Sequence, residues 1–290
     1  MARLAIDRFL VKPASRFRLD RTDPGDTAPF ESSASARTAL AKSLRTLYRL
    51  TELLYAQNRF AVLFVFQAMD GAGKDSAIKH VMRGLDPKST QVFAFRAPSA
   101  EELKHDFLWR CMKALPERGR IGVFNRSYYE ETLVARVHPE LLEAQSLPAR
   151  CVTPRIWDER YEDIRAMERY LTRNGTVIRK IFLNVSKTEQ RRRFLARLSE
   201  PAKRWKFSVN DVNERLKWNE YMAAYQDVIR ATSTIDAPWY VVPADHKWFT
   251  RLAVARIVIE TLESLDLAMP SMSRKEQAAL RNAKRRLRAP

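Results

Sequence analysis

The residues best suited to chemistry form a short loop, AMDGAGKD, at residues 68–75. The common phosphate-binding pattern G-x-x-x-x-G-K-[ST] holds phosphates with backbone N–H groups and a lysine, and holds Mg²⁺ with a hydroxyl group. This loop keeps Gly73 and Lys74, but an alanine replaces the first glycine and Asp75 replaces the hydroxyl residue. Asp70 is a carboxylate inside an anion-binding loop, which is favourable only if a cation such as Mg²⁺ lies between it and the phosphate. We interpret Gly71, Ala72, Gly73, Lys74 and Asp75 as phosphate-binding residues; the alternative is a plain strand-to-helix turn.

A second polar run, NRSYYEE at residues 125–131, follows a short apolar segment. In open α/β sheets, ligands bind outside the carboxyl ends of the strands. Arg126 is suited to neutralising phosphate, and the acids Glu130 and Glu131 are suited to holding a metal ion. The alternative is a helix start with a solvated first turn, where acidic residues are also favourable. Because we interpret the first loop as phosphate-binding, we favour a functional role for this second run.

A basic segment at residues 189–213 is the third candidate. Arg193 and Arg197 lie four residues apart on one predicted helical face, and Lys203 and Lys206 follow in a loop. In phosphoryl-transfer enzymes, a mobile basic lid closes over the phosphates and excludes water. The segment therefore predicts a lid at about 187–213; the alternative is an exposed pair of basic helices.

Strands and helices alternate along the chain around these three segments. Short β-branched or aromatic runs predict strands at 61–66, 91–95, 121–124, 177–185 and 240–242, and helical periodicity predicts helices at 35–58, 73–84, 100–115, 154–174, 187–198, 209–232 and 247–265. This order is typical of an α/β fold with a five-stranded parallel sheet between helices. We expect one domain at 34–267, an extended N-terminal arm at 1–33 and a basic C-terminal tail at 268–290.

Composition and charge narrow the class of protein. The chain has 290 residues, of which 46% are hydrophobic, and a net charge of +18. Such a large positive charge implies a polyanionic partner. Only two cysteines are present and no long apolar run occurs, so we expect a cytoplasmic protein without a disulfide framework or a membrane span.

Four motifs together resemble the family-2 polyphosphate kinases: QAMDGAGKD, FNRSYYEE, PAKRWKFS and PWYVVPADHKW. The resemblance extends from about residue 11 to residue 267. In that family the loop reads G-x-D-x-x-G-K, so Asp70, Gly73 and Lys74 match, whereas Ala68 departs from the pattern. The resemblance implies a P-loop nucleotide-kinase-like fold that transfers a terminal phosphoryl group between inorganic polyphosphate and a nucleoside mono- or diphosphate. It also implies Mg²⁺, with Mn²⁺ as an alternative ion, and a homo-oligomer, either a dimer or a tetramer.

The resemblance assigns roles to individual residues. Asp70, Lys74 and Arg126 would be catalytic, and Asp70 and Glu131 would hold the metal. Asn125, which stands where much of the family has Asp, and Glu130 would bind the nucleotide. The side chains assigned to phosphate or polyphosphate are Lys74, Asp75, Arg126, Arg136, Arg193, Arg197, Lys203 and Lys206. The run from Glu130 to His138 looks more like the branch that phosphorylates both AMP and ADP.

Two other classes of protein remain as alternatives. An ATP-dependent P-loop kinase of a small metabolite would share the fold and the loop but would ignore polyphosphate. A non-catalytic nucleic-acid-binding protein would use the basic tail and the aromatic residues near Trp205, and its binding would depend steeply on salt. The sequence contains no recognisable nucleic-acid recognition motif, which argues against the second alternative.

Overall fold

The computed structural model describes residues 4–288, except for the side chain of Lys206. Its α-helices are α1 (Ser33–Gln57), α2 (Lys74–Met82), α3 (Trp109–Met112), α4 (Glu130–Val137), α5 (Glu140–Glu143), α6 (Ile156–Arg173), α7 (Lys187–Ser199), α8 (Asn210–Leu216), α9 (Trp218–Thr232), α10 (Lys247–Glu263) and α11 (Arg274–Arg288). Short 3₁₀ helices span Ile6–Phe9, Leu19–Arg21, Pro87–Ser89, Glu102–Lys104, Ala149–Cys151 and Pro201–Lys206. No described helix is long and apolar enough to cross a membrane.

Six strands form one sheet in the order β1-β6-β5-β2-β4-β3. They are β1 (Leu10–Val11), β2 (Ala61–Gln67), β3 (Thr90–Ala94), β4 (Ile121–Asn125), β5 (Thr176–Asn184) and β6 (Trp239–Pro243). All five predicted strands are confirmed and are mutually parallel. The predicted count of five was wrong, because β1 adds an antiparallel edge strand beside β6. A two-residue strand has no alternation that a sequence pattern can detect.

The strand order places β2 at the centre of the sheet, between β4 and β5. Every residue of β2 is buried, as expected for a strand that is covered on both faces. β4 and β5 lie on opposite sides of β2. The strand order therefore reverses at β2, and a crevice opens outside the carboxyl ends of these three strands. The loops that follow β2 and β4 therefore lie next to each other.

Helices cover both faces of the sheet and close the core. α1 and α2 pack against α10 on one face, whereas α4 and α6 pack against α9 on the other. α1 begins at a capping box formed by Ser32 and Ser35 and ends at Asn58 in the left-handed conformation, which is a common helix stop. Its leucines Leu47, Leu50 and Leu54 are buried.

Two of the helix predictions were wrong in detail. The helix predicted at 100–115 is reduced to a 3₁₀ turn and the short α3, because His105 is extended and the Asp106 side chain accepts a hydrogen bond from the N–H of Leu108. Such local bonds compete with helix propagation. The helix predicted at 209–232 is interrupted at Lys217, which separates α8 from α9. The short helices α4 and α5 were not predicted.

Candidate active site

The phosphate loop, residues 68–75, runs from the end of β2 into the first turn of α2. Gly71 and Gly73 have φ angles of 82° and 102°, which glycine adopts without steric cost. A Cβ atom on Gly71 would also lie 2.8 Å from Cε1 of Phe194. Ala68, in contrast, is not among the residues with positive φ. The alanine at the first glycine position of the usual pattern therefore meets no backbone restriction.

Lys74 is the first residue of α2 and is buried within the loop. Its Nζ atom donates a hydrogen bond to the carbonyl oxygen of Ala68 over 2.8 Å. Burial, and then the charge of Arg126, lower the pKa of Lys74, while Asp70 and other acids oppose this shift. The ammonium group is thus held under the loop at the start of a helix, where backbone N–H groups and the helix dipole also favour anions.

Arg126 joins the two loops through acidic side chains on either side of it. Its Nη2 atom donates to Oδ1 of Asp70 over 2.7 Å, and its Nη1 atom donates to Oε2 of Glu130 over 3.2 Å. The charge of Glu130 raises the pKa of Arg126, although burial works to lower it. Burial works to raise the pKa of Asp70, but Lys74 and Arg126 hold it below its usual value. We call Asp70, Arg126 and Glu130 the open cluster, because these side chains remain partly exposed to solvent.

Two further predicted residues, Asp75 and Asn125, contact each other beside this cluster. Nδ2 of Asn125 donates to Oδ1 of Asp75 over 2.7 Å. Asp75 lies in the first turn of α2, and Asn125 is the last residue of β4. The pair therefore connects the two loops. Asn125 makes this bond through its amide nitrogen and not through its amide oxygen.

Arg193 does not fit the predicted role of a mobile lid residue that binds polyphosphate. Its side chain is buried, and its five N–H groups are all used within the protein. The acceptors are Oε1 of Glu189 and the carbonyl oxygens of Gly71, Ala72, Ala244 and Asp245. A guanidinium group has only five donors, so none is left for a phosphate. Arg193 instead supports the phosphate loop from behind, together with Gln190, which donates to the carbonyl oxygen of Asp70.

Glu131 does not fit the predicted role of a metal ligand. Its two carboxylate oxygens accept hydrogen bonds from Arg110 over 3.1 Å and from Gln145 over 2.6 Å. Burial raises the pKa of Glu131, against the charges of Arg110 and Arg160. α4 begins at Glu130, and consecutive helical residues point about 100° apart. The neighbouring acids therefore face different surroundings, and only Glu130 reaches Arg126.

The remaining predicted cations occupy different places. Arg136 lies in the last turn of α4 and donates to Asp227 and to the hydroxyl oxygen of Tyr161. Arg197 lies on α7, and its charge contributes to the low pKa of Asp70. Lys203 is half-exposed and pairs with Glu200. The side chain of Lys206 lies outside the described residues.

The donor set at the loop fits Mg²⁺ bound through substrate phosphates. Among the described residues, no group of three or more His, Cys, Asp or Glu side chains is placed to hold a metal ion. Mg²⁺ is commonly bound by one or two carboxylates together with phosphate oxygens, without an all-protein cage. Asp70, an ionised acid at the mouth of the loop, suits this arrangement.

A second ionic group, which we call the closed cluster, lies beneath the turn that follows Arg126. Oε1 of Glu168 accepts hydrogen bonds from the hydroxyl groups of Tyr128 and Tyr129, over 2.8 Å and 2.9 Å. Oε2 of Glu168 accepts a hydrogen bond from Nζ of Lys180 over 2.6 Å, and Lys180 also donates to the carbonyl oxygen of Thr232. Glu168 and Lys180 are almost completely buried. Burial and the Glu168 charge raise the pKa of both tyrosines well above its usual range.

The sequence interpretation missed the residues that support the site from below and behind. Gln190 and Glu168 lie in ordinary helical patterns that give no sign of a special role. Lys180 did carry a signal, because it is a lysine within the apolar strand β5, and a fully buried lysine needs a charged partner. The sequence does not reveal which acid provides it.

A phosphate loop beside a partly exposed arginine and acid cluster, at the switch point of a parallel sheet, defines a P-loop kinase-like phosphotransferase. The family model for polyphosphate kinase 2 matches residues 31–270. The chain therefore belongs to the polyphosphate kinase 2 family, as its motifs suggested.

Relatives and solved structures cover nearly the whole chain. An ADP-polyphosphate phosphotransferase of Rhodopseudomonas palustris is 51% identical over 263 residues, which are 89% of this chain and 91% of the relative. An AMP/ADP-polyphosphate phosphotransferase of Meiothermus ruber is 44% identical over 264 residues, 91% of this chain and 95% of the relative. The crystal structure of polyphosphate kinase 2 from Arthrobacter aurescens TC1 superposes with a TM-score of 0.86 at 38% identity and covers 94% of this chain and 95% of its own.

Proposed function

We propose that the chain catalyses the Mg²⁺-dependent transfer of the terminal phosphoryl group of inorganic polyphosphate to ADP and AMP, and the reverse reaction. The observation that carries this proposal is that two cations, Lys74 and Arg126, both act on Asp70 in the loop that follows β2. Membership of the family supports polyphosphate as the donor. The net charge of +18 is consistent with a donor that carries a negative charge on each phosphate.

The chemistry of this transfer requires charge neutralisation more than proton transfer. An oxygen of the acceptor's terminal phosphate forms the new P–O bond, and the bridging oxygen leaves with the shortened polyphosphate. The attacking oxygen is already anionic near neutral pH, because a phosphate loses its second proton near pH 6, so no general base is needed. Negative charge is spread over the transferring group in the transition state, and Lys74 and Arg126 are positioned to stabilise it.

Asp70 is the residue that we propose to hold Mg²⁺ between the protein and the phosphates. When bound, the ion neutralises phosphate charge and orients the reacting groups. Lys74 and the salt bridge to Arg126 hold the pKa of Asp70 below its usual value against the effect of burial, and the bridge fixes its orientation. Removal of the ion with EDTA should therefore abolish transfer, and addition of Mg²⁺ should restore it.

The names of the two relatives, one an ADP-polyphosphate and one an AMP/ADP-polyphosphate phosphotransferase, support both nucleotides as acceptors. Asn125 and Glu130 lie beside Arg126 at the end of β4, which supports the role in nucleotide binding that we propose for them. The decisive test measures ATP formation from polyphosphate and Mg²⁺ with ADP alone, and formation of ADP and ATP with AMP alone. Activity with ADP but not AMP would reject AMP as an acceptor, and activity with neither would reject the proposed function.

Lys74→Ala provides a variant test of the same site, with Lys79→Ala as its control. Both lysines lie on α2, but Lys74 is buried in the loop whereas Lys79 is exposed. We expect Lys74→Ala to lose about 10³-fold or more in kcat/KM, because preorganised charge supplies most of the transition-state stabilisation in this chemistry. Lys79→Ala should retain full activity. A folded Lys74→Ala protein with normal activity would overturn the assignment.

Two further properties belong to this proposal. The thiols of Cys111 and Cys151 are free, which supports a reducing compartment, and we place the enzyme in the cytoplasm. We also propose a homo-oligomer, either a dimer or a tetramer, on the basis of the family resemblance. Light scattering coupled to gel filtration would test the oligomer directly.

A further inference from the structure

The C-terminal helix α11, Arg274–Arg288, lies outside the region that the family model matches. It carries seven lysines or arginines and one acid, which is +6 of the chain's net +18. Every described side chain of α11 is exposed to solvent. A third of the net charge is thus concentrated on a helix that contributes no side chain to the core.

Four of the seven cations of α11 lie together on one face. Arg281, Lys284, Arg285 and Arg288 lie side by side there, as expected for residues three and four positions apart on a helix. They span about 10 Å along the helix, given a rise of about 1.5 Å per residue. We call these four residues the basic tail patch.

The basic tail patch is energetically unfavourable without an anionic partner. Like charges three or four residues apart destabilise a helix, and an isolated helix of about 15 residues is marginal in water. The sequence nevertheless favours a helix, because Ser273 and Glu276 form a capping box at its start. A polyanion that lies along the patch would remove the repulsion between its cations.

We propose that the basic tail patch is a second binding site for inorganic polyphosphate, separate from the catalytic loop. This inference rests on the proposed function, which supplies the polyanion. A long chain would occupy the catalytic loop and the patch together, so the second contact would become intramolecular and would raise the apparent affinity. A chain too short to reach from the loop to the patch gains no second contact. The patch therefore favours long chains as substrates.

Other partners fit the helix less well. Beside the patch lie only two large apolar side chains, Leu280 and Leu287, whereas helices that bind membrane surfaces bury broad apolar faces with several large residues. This two-leucine stripe, with Lys284 next to both leucines, is poorly suited to pairing with a second copy of α11. RNA shares the charge of polyphosphate and serves as the competing ligand in the test.

The test compares two full-length variants that each lose four exposed cations. The tail variant carries Arg281→Gln, Lys284→Gln, Arg285→Gln and Arg288→Gln; the control variant carries Arg37→Gln, Lys42→Gln, Arg45→Gln and Arg49→Gln on α1, where all four residues are exposed. Glutamine preserves helix propensity, and circular dichroism checks this. Steady-state rates are measured with ADP and either long-chain polyphosphate or hexaphosphate.

We expect the tail variant to raise the KM for long-chain polyphosphate about tenfold, with little change in kcat and no change in either constant for hexaphosphate. The control variant should behave as the parent protein does. An unchanged KM for the long chain, an equal loss with hexaphosphate, or an equal loss in the control would each overturn the inference. If the parent transfers phosphate from neither donor, the proposed function fails instead.

Direct binding provides a second measurement, and its competition experiment uses only the parent protein. Fluorescently labelled long-chain polyphosphate is bound to the parent protein and competed with unlabelled polyphosphate or with single-stranded RNA of equal total charge. We expect polyphosphate to compete more strongly than RNA, and we expect log affinity to fall with log salt more steeply for the parent than for the tail variant. Stronger competition by RNA would overturn the inference.

Discussion

The open cluster and the closed cluster are built from the same kinds of side chain but satisfy them to different extents. In the open cluster, Arg126 uses two of its five N–H groups on Asp70 and Glu130, and the side chains are partly exposed. In the closed cluster, both oxygens of Glu168 and two of the three protons of Lys180 are engaged, and neither residue is accessible to solvent. Spare donors at a cleft mark a group that awaits a ligand, whereas buried groups with nearly all of their hydrogen-bonding atoms engaged mark support for the fold.

The two clusters meet in the five-residue segment 126–130. Arg126 and Glu130 belong to the open cluster, and Tyr128 and Tyr129 belong to the closed cluster. Arg126 has a φ of 65°, an unusual conformation that persists only where its surroundings enforce it. The N–H of Arg126 bonds to the carbonyl oxygen of Phe66 on β2, and the tyrosines two and three residues later are anchored to Glu168. The closed cluster therefore fixes the turn that presents Arg126 and Glu130 to the phosphate loop.

Breaking the closed cluster should produce the largest loss of stability. Lys180→Met leaves the buried charge of Glu168 without its counter-ion, and we expect a loss of about 3–5 kcal/mol in the free energy of unfolding. The double variant Lys180→Met with Glu168→Gln should lose much less than the sum of the two single variants, because it removes both charges. Urea denaturation of all three proteins measures the coupling. Additive losses would show that the two residues act independently.

Weakening the open cluster should instead reduce activity and leave stability nearly unchanged. We expect Arg126→Lys to lose about 10²–10³-fold in kcat/KM, because an ammonium group cannot replace the planar guanidinium that reaches Asp70 and Glu130 together. The free energy of unfolding should change by less than about 1 kcal/mol, since pairs open to solvent contribute little. A large loss of stability with normal kcat would contradict the distinction between the clusters.

The neighbouring acids Glu130 and Glu131 allow the same distinction to be tested with a minimal change. Glu131→Gln alters a buried carboxylate that is bonded to Arg110 and Gln145, and it should cost about 1–3 kcal/mol of stability with little effect on kcat. Glu130→Gln weakens the pair with Arg126 and should lower kcat/KM with little effect on stability. Melting curves and ATP-formation rates are measured for both variants. Identical behaviour of the two variants would contradict the distinction between the two acids.

The sequence predicted the fold better than the side-chain roles, for physical reasons that these residues illustrate. Apolar runs and helical periodicity located all five parallel strands, and the composition of the loop located Lys74 and Asp70. The roles of Glu130 and Glu131 could not be separated, because a helix start that is uncertain by one residue rotates every side chain by about 100°. Arg193 looked like a free cation because its carbonyl partners lie 51 to 122 residues away in the chain.

The smallest expected effect concerns pH and the charge of Lys74 beside the open cluster. Burial lowers the pKa of Lys74 from its ordinary 10.5, so kcat/KM should begin to fall below pH 10.5 as Lys74 loses its proton. Phosphates have finished titrating well below this range. Burial raises the pKa of Tyr225 and Tyr221, two residues of α9 that interact electrostatically with Glu130 and Asp70, and Arg126 stays charged.

Deprotonation of Lys74 does not destabilise the fold, so unfolding caused by this residue cannot account for the loss of activity at alkaline pH. Between the lowered pKa in the folded chain and 10.5 in the unfolded chain, the unfolded state binds more protons, so this residue makes the free energy of unfolding rise with pH. The pH–rate profile is therefore measured together with circular dichroism at each pH. Activity that stays constant up to pH 10.5 would contradict this expectation, whereas activity that falls while the fold persists assigns the loss to the phosphate loop.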